Sequence, residues 1–530
     1  MNFTVRRVVV AIAAVLTGYL GYKLVQSVNF GALLGNLSLG MGVALSFQNL
    51  FYALIGCMVG TLIGVLPGIG PVATIAMLLP ITFHLPPTAS LIMLAGIYYG
   101  AQYGGSTTSI LVNLPGEASS VVTCIDGYQM ARNGRAGAAL SISAVGSVFA
   151  GTIGTIIIVM FAEPLTLMAQ KFGPADYCSL MALGLVAAVV LASGSVLKAI
   201  AMVFLGLLFG LVGTDVNTGA QRFTFDIPEL SDGIDFAPIA MGLFGIAEIV
   251  VNLERRMSRS GAIKVGSLWP TREEFQRAWP AVLRGTALGS ILGVLPGGGP
   301  TLGAFSAYTL EKKISKHPEQ FGKGAVEGVA APEAANNAAA QTSFIPMLTL
   351  GIPSNAVMAL MVGAMIIQGI QPGPEVMTKK PDLFWGMIAS MWIGNFMLVV
   401  INLPMIGMWV KLLTVPYRFL APAILLFCCI GAYSLQNSTF HVLQVAIFGV
   451  LGYIFVRLGC EGAPFLLGLV LGPQMEEYFR RAMLLSRGDP AVFIERPISL
   501  GLLIATAILL VLMALPSIKK AREQAFQEEG

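Results

Sequence analysis

Charged side chains are scarce in this sequence. Only 11% of the 530 residues are charged, while 56% are hydrophobic, whereas soluble globular chains carry roughly 25% charged residues. Several segments approach or exceed the roughly 20 apolar residues that cross a bilayer as a helix, the clearest being 137–162, 177–193, 196–212, 383–410 and 498–515. The composition therefore predicts an all-α polytopic membrane protein with about twelve transmembrane helices.

Sequence motifs of nucleotide-driven pumps and of common hydrolases are missing. There is no G-x-x-x-x-G-K-[ST] phosphate loop, no H-E-x-x-H motif and no nucleophile elbow. The three histidines and six cysteines show no metal-ligand spacing. Basic and acidic residues number 31 and 27, with no aromatic-rich basic face for nucleic acid. The sequence therefore predicts a protein that is not an enzyme and that needs no cofactor and no nucleic-acid partner.

Two glycine- and proline-rich interruptions divide the apolar sequence. The octet "GVLPGIGP" covers residues 64–71, and "GVLPGGGP" covers residues 293–300. With their preceding residues, 60–71 and 289–300 are identical at 8 of 12 positions. Two copies this similar indicate an internal duplication.

Each octet has the residues of a broken helix. Pro67 predicts the end of the incoming helix, and Pro71 predicts the start of a new one. Gly68 and Gly70 permit unusual backbone angles and close approach. The counterparts in the second copy are Pro296, Gly297, Gly299 and Pro300. The alternative is that glycine and proline only allow close packing or a kink.

The new helices should present free backbone N–H groups. Those of Val72, Ala73 and Thr74 are expected in the first copy, and those of Thr301, Leu302 and Gly303 in the second. Such helix N-termini attract anions, and in carriers built from inverted repeats they meet near the bilayer midplane. Unwound carbonyls could also coordinate Na⁺, here near Leu66, Pro67, Leu295 and Pro296.

A second interruption follows each octet. In the first copy, Gly104 and Gly105 are expected to break a helix that Ser106, Thr107 and Thr108 then cap, with a further break at 114–116. In the second copy, neutral polar residues precede a break at 352–355. We expect these polar groups to face a cavity, although each could instead bond a neighbouring helix. The predicted substrate site comprises Gly68, Gly70, Thr74, Ser106, Thr107, Thr108, Asn113, Gly297, Gly299, Thr301, Asn336, Asn337, Thr342, Ser343, Ser354 and Asn355.

Ionisable residues near these segments are few. Glu117, Glu163, Glu248 and Glu333 are candidates because intramembrane acids are costly and commonly functional. For Glu117 and Glu333 the alternative is capping of a helix N-terminus. Anion binding would then depend on helix ends, hydroxyls and amides, together with a co-bound cation.

Loop charges predict the orientation of the two copies. The basic loop 254–279 should face the cytoplasm. The loop 311–324 contains four lysines whereas its counterpart 83–90 contains none, and the bias reverses between 126–137 and 371–383. Opposite insertion of the copies explains this shift. The predicted organisation is an N-terminal span and interfacial segment (1–44), a first repeat (45–252), a basic linker (253–279), an inverted second repeat (280–515) and a charged tail (516–530).

Five long motifs resemble the large membrane subunit (TctA-type) of the tripartite tricarboxylate transporters. They are "GVLPGIGPVATIAMLLP" (64–80), "YYGAQYGGSTTSILVNLPGEASSV" (98–121), "DGYQMARNGRAGAAL" (126–140), "GVLPGGGPTLGAF" (293–305) and "APEAANNAAAQTSFIPMLTLGIPSNAVMALM" (331–361). The resemblance covers roughly residues 45–515 and implies two partners, a periplasmic solute-binding protein and a small membrane subunit with about four spans. It also implies carboxylate uptake across the bacterial inner membrane, driven by a Na⁺ or H⁺ gradient.

Alternatives from other classes remain open at this point. A stand-alone carboxylate carrier or channel would contain the same breaks but need no binding protein. A membrane-embedded enzyme or scaffold would show turnover or assembly without flux. Transport measured with and without the partner proteins separates these hypotheses.

Overall fold

The computed structural model of the chain describes residues 30–66, 70–192, 195–215, 218–254, 263, 265–295, 299–412 and 417–514. This part of the chain is almost entirely helical, as the composition predicts. Residues 1–29 of the predicted N-terminal segment and the predicted charged tail 516–530 lie outside the described residues. The helices before the linker are α1 (Phe30–Ala44), α2 (Phe47–Val65), α3 (Pro71–Phe83), α4 (Pro87–Val112), α5 (Val121–Met130), α6 (Ala136–Ala169), α7 (Pro174–Leu191), α8 (Val196–Gly210), α9 (Phe236–Ala240) and α10 (Ala247–Glu254).

The remaining helices follow the basic linker. Two-residue strands β1 (Gly213–Thr214) and β2 (Gln221–Arg222) pair antiparallel in the loop after α8. Short π-helical segments, Ala131–Arg135 and Met241–Ile246, join α5 to α6 and α9 to α10. The later helices are α11 (Arg272–Val294), α12 (Gly299–Ile314), α13 (Glu327–Thr342), α14 (Phe344–Leu350), α15 (Ala356–Ile367), α16 (Pro374–Lys379), α17 (Pro381–Asn402), α18 (Ile406–Leu412), α19 (Tyr417–Gln436), α20 (Thr439–Arg457), α21 (Gly462–Leu485), α22 (Val492–Glu495) and α23 (Pro497–Ala514).

Membrane-crossing helices are present in both parts of the chain. Within the described residues, five helical stretches are long and apolar enough to cross a membrane: Phe47–Val65, Ala118–Ala169, Phe236–Glu254, Pro381–Asn402 and Thr439–Arg457. Shorter apolar helices accompany them, and the total of about twelve spans stays a prediction. One predicted span is shorter than expected, because the segment 383–410 divides between α17 and α18 at residues 403–405.

Glycine packing joins α2 to α4 and α11 to α13. Three glycines, each four residues apart, face the partner helix in both pairs, and a Cβ built on any of them would lie 2.1–2.3 Å from a backbone carbonyl oxygen. Such contacts let two helix backbones touch. The facing residues are Gly56–Met93, Gly60–Ile97 and Gly64–Ala101 in the first pair, and Gly285–Ala331, Gly289–Ala335 and Gly293–Ala339 in the second.

The same contacts give the helix directions. Residue numbers rise together along α2 and α4, and again along α11 and α13, so each pair is parallel. The short helices α3 and α12 must therefore return the chain between the two members of each pair. Tyr99 of α4 packs against Phe344, whereas Ser106 bonds Glu333 of α13. From the first contact to the second, the residue number rises from 99 to 106 in α4 but falls from 344 in α14 to 333 in α13. The two helix pairs therefore run antiparallel to each other.

Basic loops gather at one end of the molecule. Asp126 is fully buried, and its carboxylate accepts hydrogen bonds from the N–H groups of Gly322, Gly324 and Ala325 at 2.8–2.9 Å. Arg135 forms a bidentate ion pair with Glu274, which lies within the linker 253–279. Segments 126–137, 265–277 and 312–324 therefore share one face. Much of the predicted loop 126–137 is helical, with Gly134 at φ +78°.

Other polar segments meet at a second end. Asp215, in the loop after α8, forms ion pairs with Arg222 and Arg480. Asp176, at the start of α7, forms a 2.6 Å ion pair with Arg496. Gln368 donates to the carbonyl oxygen of Thr82, which places residues near 83–87 beside the loop after α15. The loop 83–90, which has no lysine or arginine, thus makes its polar contacts beside the loop after α15, whereas the basic segment 126–137 makes its contacts with the other basic loops.

Candidate functional site

The first octet interrupts the helical structure as predicted. Helix α2 ends at Val65, where the N–H of Leu66 donates to the carbonyl oxygen of Ile63, and α3 begins at Pro71. Gly70 is the N-cap residue and supplies no side chain to the helix start. Because α3 has 13 residues, it extends about 20 Å, which is less than the roughly 30 Å hydrocarbon thickness. It cannot cross a bilayer alone.

The second octet has a matching break. Helix α11 ends at Val294, the N–H of Leu295 donates to Leu292, and the next helix begins at Gly299. It therefore starts one residue before the predicted Pro300, with Gly299 at φ +45°. The predicted residues Pro67, Gly68, Pro296 and Gly297 lie outside the described residues. Leu66 and Leu295, the other proposed Na⁺ carbonyls, are the last residues described before each gap.

The expected free donor at Thr74 is wrong. Its N–H donates to the carbonyl oxygen of Gly70 at 3.1 Å, and its hydroxyl donates to the same oxygen at 2.9 Å. A helix begins to bond internally at its fourth N–H group, which is why Thr74 is already satisfied. Only the earlier donors of the first turn, including that of Val72, belong to the open helix end.

One cavity brings the interruptions together. Its volume is about 1170 Å³, and its wall includes the starts of α3 and α12 and the chain at the end of, and just after, both second interruptions. Three predicted site residues, Gly70, Thr301 and Asn355, line it. The other polar or ionisable lining residues are Tyr98, Glu117, Ser119, Glu248, Ser306, Thr309, Lys313 and Glu461.

Charges of both signs surround this cavity. Three carboxylates line it, those of Glu117, Glu248 and Glu461, against the single ammonium group of Lys313 among the described lining residues. The Glu248 carboxylate lies close enough to the backbone N–H of Gly70 to interact with it electrostatically. A carboxylate therefore already interacts with the start of α3, where partial positive charge collects. An anion entering this cavity needs compensating positive charge.

The second interruption of the first copy differs from the prediction. Helix α4 continues through Gly104 and Gly105 to Val112, so these glycines do not break it. Gly104 instead faces the backbone of α2, where a Cβ would lie 2.4 Å from the carbonyl oxygen of Thr61. The hydroxyls predicted to cap a new helix bond backward within α4: those of Ser106, Thr107 and Thr108 donate to the carbonyls of Gln102, Tyr103 and Gly104.

The break at 114–116 is confirmed. Asn113 ends α4 in the left-handed conformation at φ +56°, and Glu117 caps the short helical turn that follows. Gly116 brings the chain back against the first octet, because a Cβ there would lie 2.3 Å from the carbonyl oxygen of Gly64. Glu117 therefore occupies the N-cap position that the alternative interpretation gave it. Glu333 caps nothing, since it lies inside α13.

The second copy is interrupted between α14 and α15. Gly351 ends α14 at φ +75°, and the side chain of Asn355 accepts a hydrogen bond from the N–H of Met358 at 2.9 Å to cap α15. Its Nδ2 also donates to the hydroxyl of Ser343. Ser354 is fully buried and donates to the carbonyl oxygen of Ser343. The break predicted at 352–355 is confirmed.

Two predicted site hydroxyls donate hydrogen bonds to backbone carbonyls at the ends of the interrupted helices. Thr108 donates to the carbonyl oxygen of Val65, the last residue of α2, at 2.7 Å. Ser343 donates to that of Gly293, near the end of α11, at 3.2 Å. Carbonyls at a helix end have no helical partner and are costly when buried without one. These side chains stabilise the two breaks in equivalent ways.

The other predicted residues lie away from the cavity wall. Asn336, Asn337 and Thr342 are buried within α13, where the hydroxyl of Thr342 donates to the carbonyl oxygen of Ala338 in the same helix. Asn113 is exposed, and Glu163 lies in α6. Tyr98, Lys313 and Glu461 line the cavity but are not among the predicted site residues. Tyr98 opens one of the quoted motifs and could have been found there, whereas Lys313 and Glu461 stand in segments whose pattern indicates only loops or helix ends.

We expect alanine at Gly299 and at Gly70 to act differently. Gly299 has positive φ, and its Cβ would lie 3.1 Å from Nδ2 of Asn355, so Gly299→Ala should cost roughly 1–2 kcal/mol. Gly70 has φ −77° and open space around it, so Gly70→Ala should fold normally. Thermal unfolding of the purified full chain measures both, and equal midpoints would contradict the geometry of the second break.

Comparisons with known proteins agree with the motif resemblance. The model of the Tripartite tricarboxylate transporter TctA family matches residues 50–467. A 52.8 kDa protein of the TAR-I ttuC' 3' region of Agrobacterium vitis is 58% identical over 498 residues, which cover 94% of this chain and 99% of that protein. A protein of the TAR-II ttuC' 3' region is 60% identical over 241 residues, covering 46% of this chain and all of that protein. No solved structure matches.

The family match covers both octets, both second interruptions and nearly all of the cavity wall. The resemblance seen in the sequence motifs is thereby confirmed. The chain belongs to the tripartite tricarboxylate transporter TctA family, and it is a multi-pass membrane component of a tricarboxylate transporter.

Proposed function

We propose that the chain is the permease subunit of a binding-protein-dependent secondary transporter that imports tricarboxylates or related carboxylates. The observation that carries this proposal is the shared cavity, where the starts of two interrupted helices open toward the same space. Free N–H groups and the helix dipole favour carboxylate oxygens there. Gly70, Thr301 and Asn355 are the predicted site residues that would approach the substrate.

An inverted repeat accounts for this arrangement. Residues 45–252 and 280–515 would form the two repeats, joined by the basic linker 253–279. The antiparallel contacts Tyr99–Phe344 and Ser106–Glu333 support it, as do the matching glycine contacts in each helix pair. The helix breaks would then approach the site from opposite sides of the membrane, as in other carriers with discontinuous helices.

The charges near the cavity indicate the side of the membrane to which it would open. Its wall extends to Lys313 and Glu461, and Lys313 lies in the last turn of α12, which leads into the loop bonded to Asp126. Loops rich in Lys and Arg face the cytoplasm, so the cavity would be open to the cytoplasm in this conformation. Uptake would require a second conformation, open to the periplasm, in an alternating-access cycle.

The acidic wall favours cation-coupled transport. Glu117, Glu248 and Glu461 would repel a di- or tricarboxylate. One lysine and two helix ends, each equivalent to roughly half a positive charge, leave a strongly anionic substrate undercompensated. A co-transported Na⁺ or H⁺ would supply the missing charge and couple uptake to the ion gradient.

Partners follow from the family. A periplasmic solute-binding protein would deliver the carboxylate, and a small membrane subunit with about four spans would complete the complex in the bacterial inner membrane. Selectivity would then depend partly on the binding protein. Transport would require the coupling ion, Na⁺ or H⁺, and the chain would need no organic cofactor.

Uptake by reconstituted protein tests the proposal. Proteoliposomes containing this chain and both partners are expected to accumulate at least one tri- or dicarboxylate from a panel, under an imposed Na⁺ or H⁺ gradient applied separately. Omission of the binding protein should abolish uptake. Equal uptake by this chain alone would favour a stand-alone carrier or channel, and no uptake under any gradient would contradict the transporter assignment.

A further inference from the structure

A carboxylate lies among hydroxyl groups from three other helices. Glu333 of α13 is fully buried. Its carboxylate accepts hydrogen bonds from Ser106 of α4 at 2.6 Å and from Ser143 of α6 at 3.1 Å. Thr123 of α5 donates to the other carboxylate oxygen. Two carboxylate and three hydroxyl oxygens thus converge on one small volume, and none of the residues involved lines the substrate cavity.

No basic side chain compensates this charge. In the described parts of the chain, no ion pair includes Glu333, although other buried acids such as Asp176 and Glu311 have arginine partners. An ionised carboxylate in an apolar interior is costly unless it is paired. Intramembrane acids of this kind commonly mark ion pathways. The site therefore has one negative charge that a single monovalent cation would neutralise.

The ligand set resembles that of a hard cation, which takes carboxylate, hydroxyl and carbonyl or amide oxygens. Gln102 lies one helical turn before Ser106 on the same face of α4, and its side-chain oxygen and nitrogen are buried without a hydrogen-bond partner in the described structure. A proton would bind one carboxylate oxygen, whereas a metal cation could also use the lone pairs that the three hydroxyl oxygens keep while they donate to the carboxylate. We propose that Glu333, Ser106, Thr123 and Ser143 bind a Na⁺ ion.

Hydrogen bonds connect this site to the substrate cavity. Asn337 donates to the backbone carbonyl of Glu333 and to the side-chain oxygen of Asn336. Asn336 donates to Ser119 at 3.4 Å, and Ser119 donates to Glu117, whose side chain lines the cavity. The connected residues come from both halves of the chain. A cation at Glu333 would therefore favour one arrangement of the halves and one orientation of the cavity wall.

The Na⁺ site deepens the proposed function and rests on it for its role as the coupling site. Binding itself can be measured without transport. The purified full chain is titrated with NaCl, with choline chloride keeping the ionic strength constant, and the unfolding midpoint is followed, since an ion that binds the folded state raises it. Glu333→Gln removes the charge, and Thr123→Val removes one hydroxyl oxygen at nearly constant volume.

Thr155→Val is the matched control. Thr155 is equally buried, and its hydroxyl donates only to the carbonyl of Gly151 in its own helix. We expect Na⁺ to raise the midpoint of the unsubstituted chain and of Thr155→Val equally. Thr123→Val should need at least about tenfold more Na⁺ for the same shift, by analogy with the loss of a metal-site partner. Glu333→Gln should show no Na⁺-specific shift.

Two outcomes would overturn the site. One is an identical Na⁺ response in Glu333→Gln and the unsubstituted chain. The other is an unsubstituted chain whose midpoint responds to pH but not to Na⁺, which would assign Glu333 to a proton. Either result leaves the transporter proposal standing if proteoliposomes still accumulate carboxylates. Absence of uptake under every gradient, with Na⁺ binding intact, would contradict the transport function but not the site.

Discussion

Alanine at Gly289 is expected to destabilise the fold markedly. The new Cβ would lie 2.1 Å from the carbonyl oxygen of Ala335, so α11 and α13 would have to separate by about 1 Å or more to reach van der Waals contact. Overpacking typically costs 1–3 kcal/mol, and the upper end applies because the obstacle is backbone rather than a flexible side chain. Thermal unfolding of the purified full chain should show a lower midpoint.

Gly501→Ala is the control for this prediction. Gly501 lies on the exposed side of α23, where nothing would meet a new Cβ within 4 Å, so the substitution should be neutral or stabilise by about 0.5–1 kcal/mol. Gly60→Ala, the equivalent change in the first pair, should resemble Gly289→Ala because its Cβ would lie 2.3 Å from the carbonyl oxygen of Ile97. Equal midpoints for Gly289→Ala and Gly501→Ala would refute close backbone packing.

Removal of the Asp126 carboxylate is expected to release the basic loop before α13. One oxygen of Asp126 accepts three backbone N–H groups, and the other accepts the hydroxyl of Tyr308 at 2.9 Å. Asp126→Ala leaves all four donors without this acceptor, and the buried N–H of Ala325, left unsatisfied, costs about 1–3 kcal/mol. Trypsin should then cleave after Lys316 or Lys323 much faster than in the unsubstituted chain.

Two controls separate this effect from general loosening. Asn133→Ala removes one exposed 3.3 Å hydrogen bond to the carbonyl oxygen of Lys323 and should leave the cleavage rate unchanged. Asp126→Asn keeps an oxygen that can accept the three N–H groups, so its effect should be intermediate. If Asp126→Ala and Asn133→Ala are cleaved at the same rate, Asp126 does not hold the loop.

The helix breaks could be predicted because their causes are local. Pro71 can begin a helix but cannot extend one, and α2 and α3 end and begin where the octet requires. The breaks after Asn113 and before the helix that Asn355 caps were also predicted from short motifs, although the left-handed conformation and the cap themselves were not. By contrast, the volume and wall of the cavity depend on how distant segments pack, which periodicity and turn residues do not specify.

The error at Gly104 has a physical reason. Glycine in an apolar helix can mark a break or a close contact, and the two cases have the same composition. The spacing Gly96, Gly100 and Gly104 matches a helix-packing motif, and this spacing was the available signal. Ser106 and Thr108 then had no new helix to cap, so their hydroxyls bond carbonyls in α4 and α2.

Contacts between residues far apart in the sequence could not be predicted from the sequence. Asp126 stood in a segment read as a basic loop, and its acceptor role requires backbone donors nearly 200 positions away. Glu333 was recognised as a candidate, but its hydroxyl neighbours come from three helices of the other half. Chemistry of this kind depends on tertiary contacts, which a single sequence does not show.

The contact of glycine with bare backbone in α2–α4 and α11–α13 restricts how the protein can change shape. The two helices of a pair cannot slide past each other by small steps. Any shift along the helix axis would bring a residue larger than glycine against the backbone carbonyl oxygens of the partner helix. Each pair should therefore move as one rigid unit in any conformational change. Movement is then expected at the interface between the two pairs, which is rich in hydroxyl and amide groups, because hydrogen bonds there can exchange partners at little energetic cost.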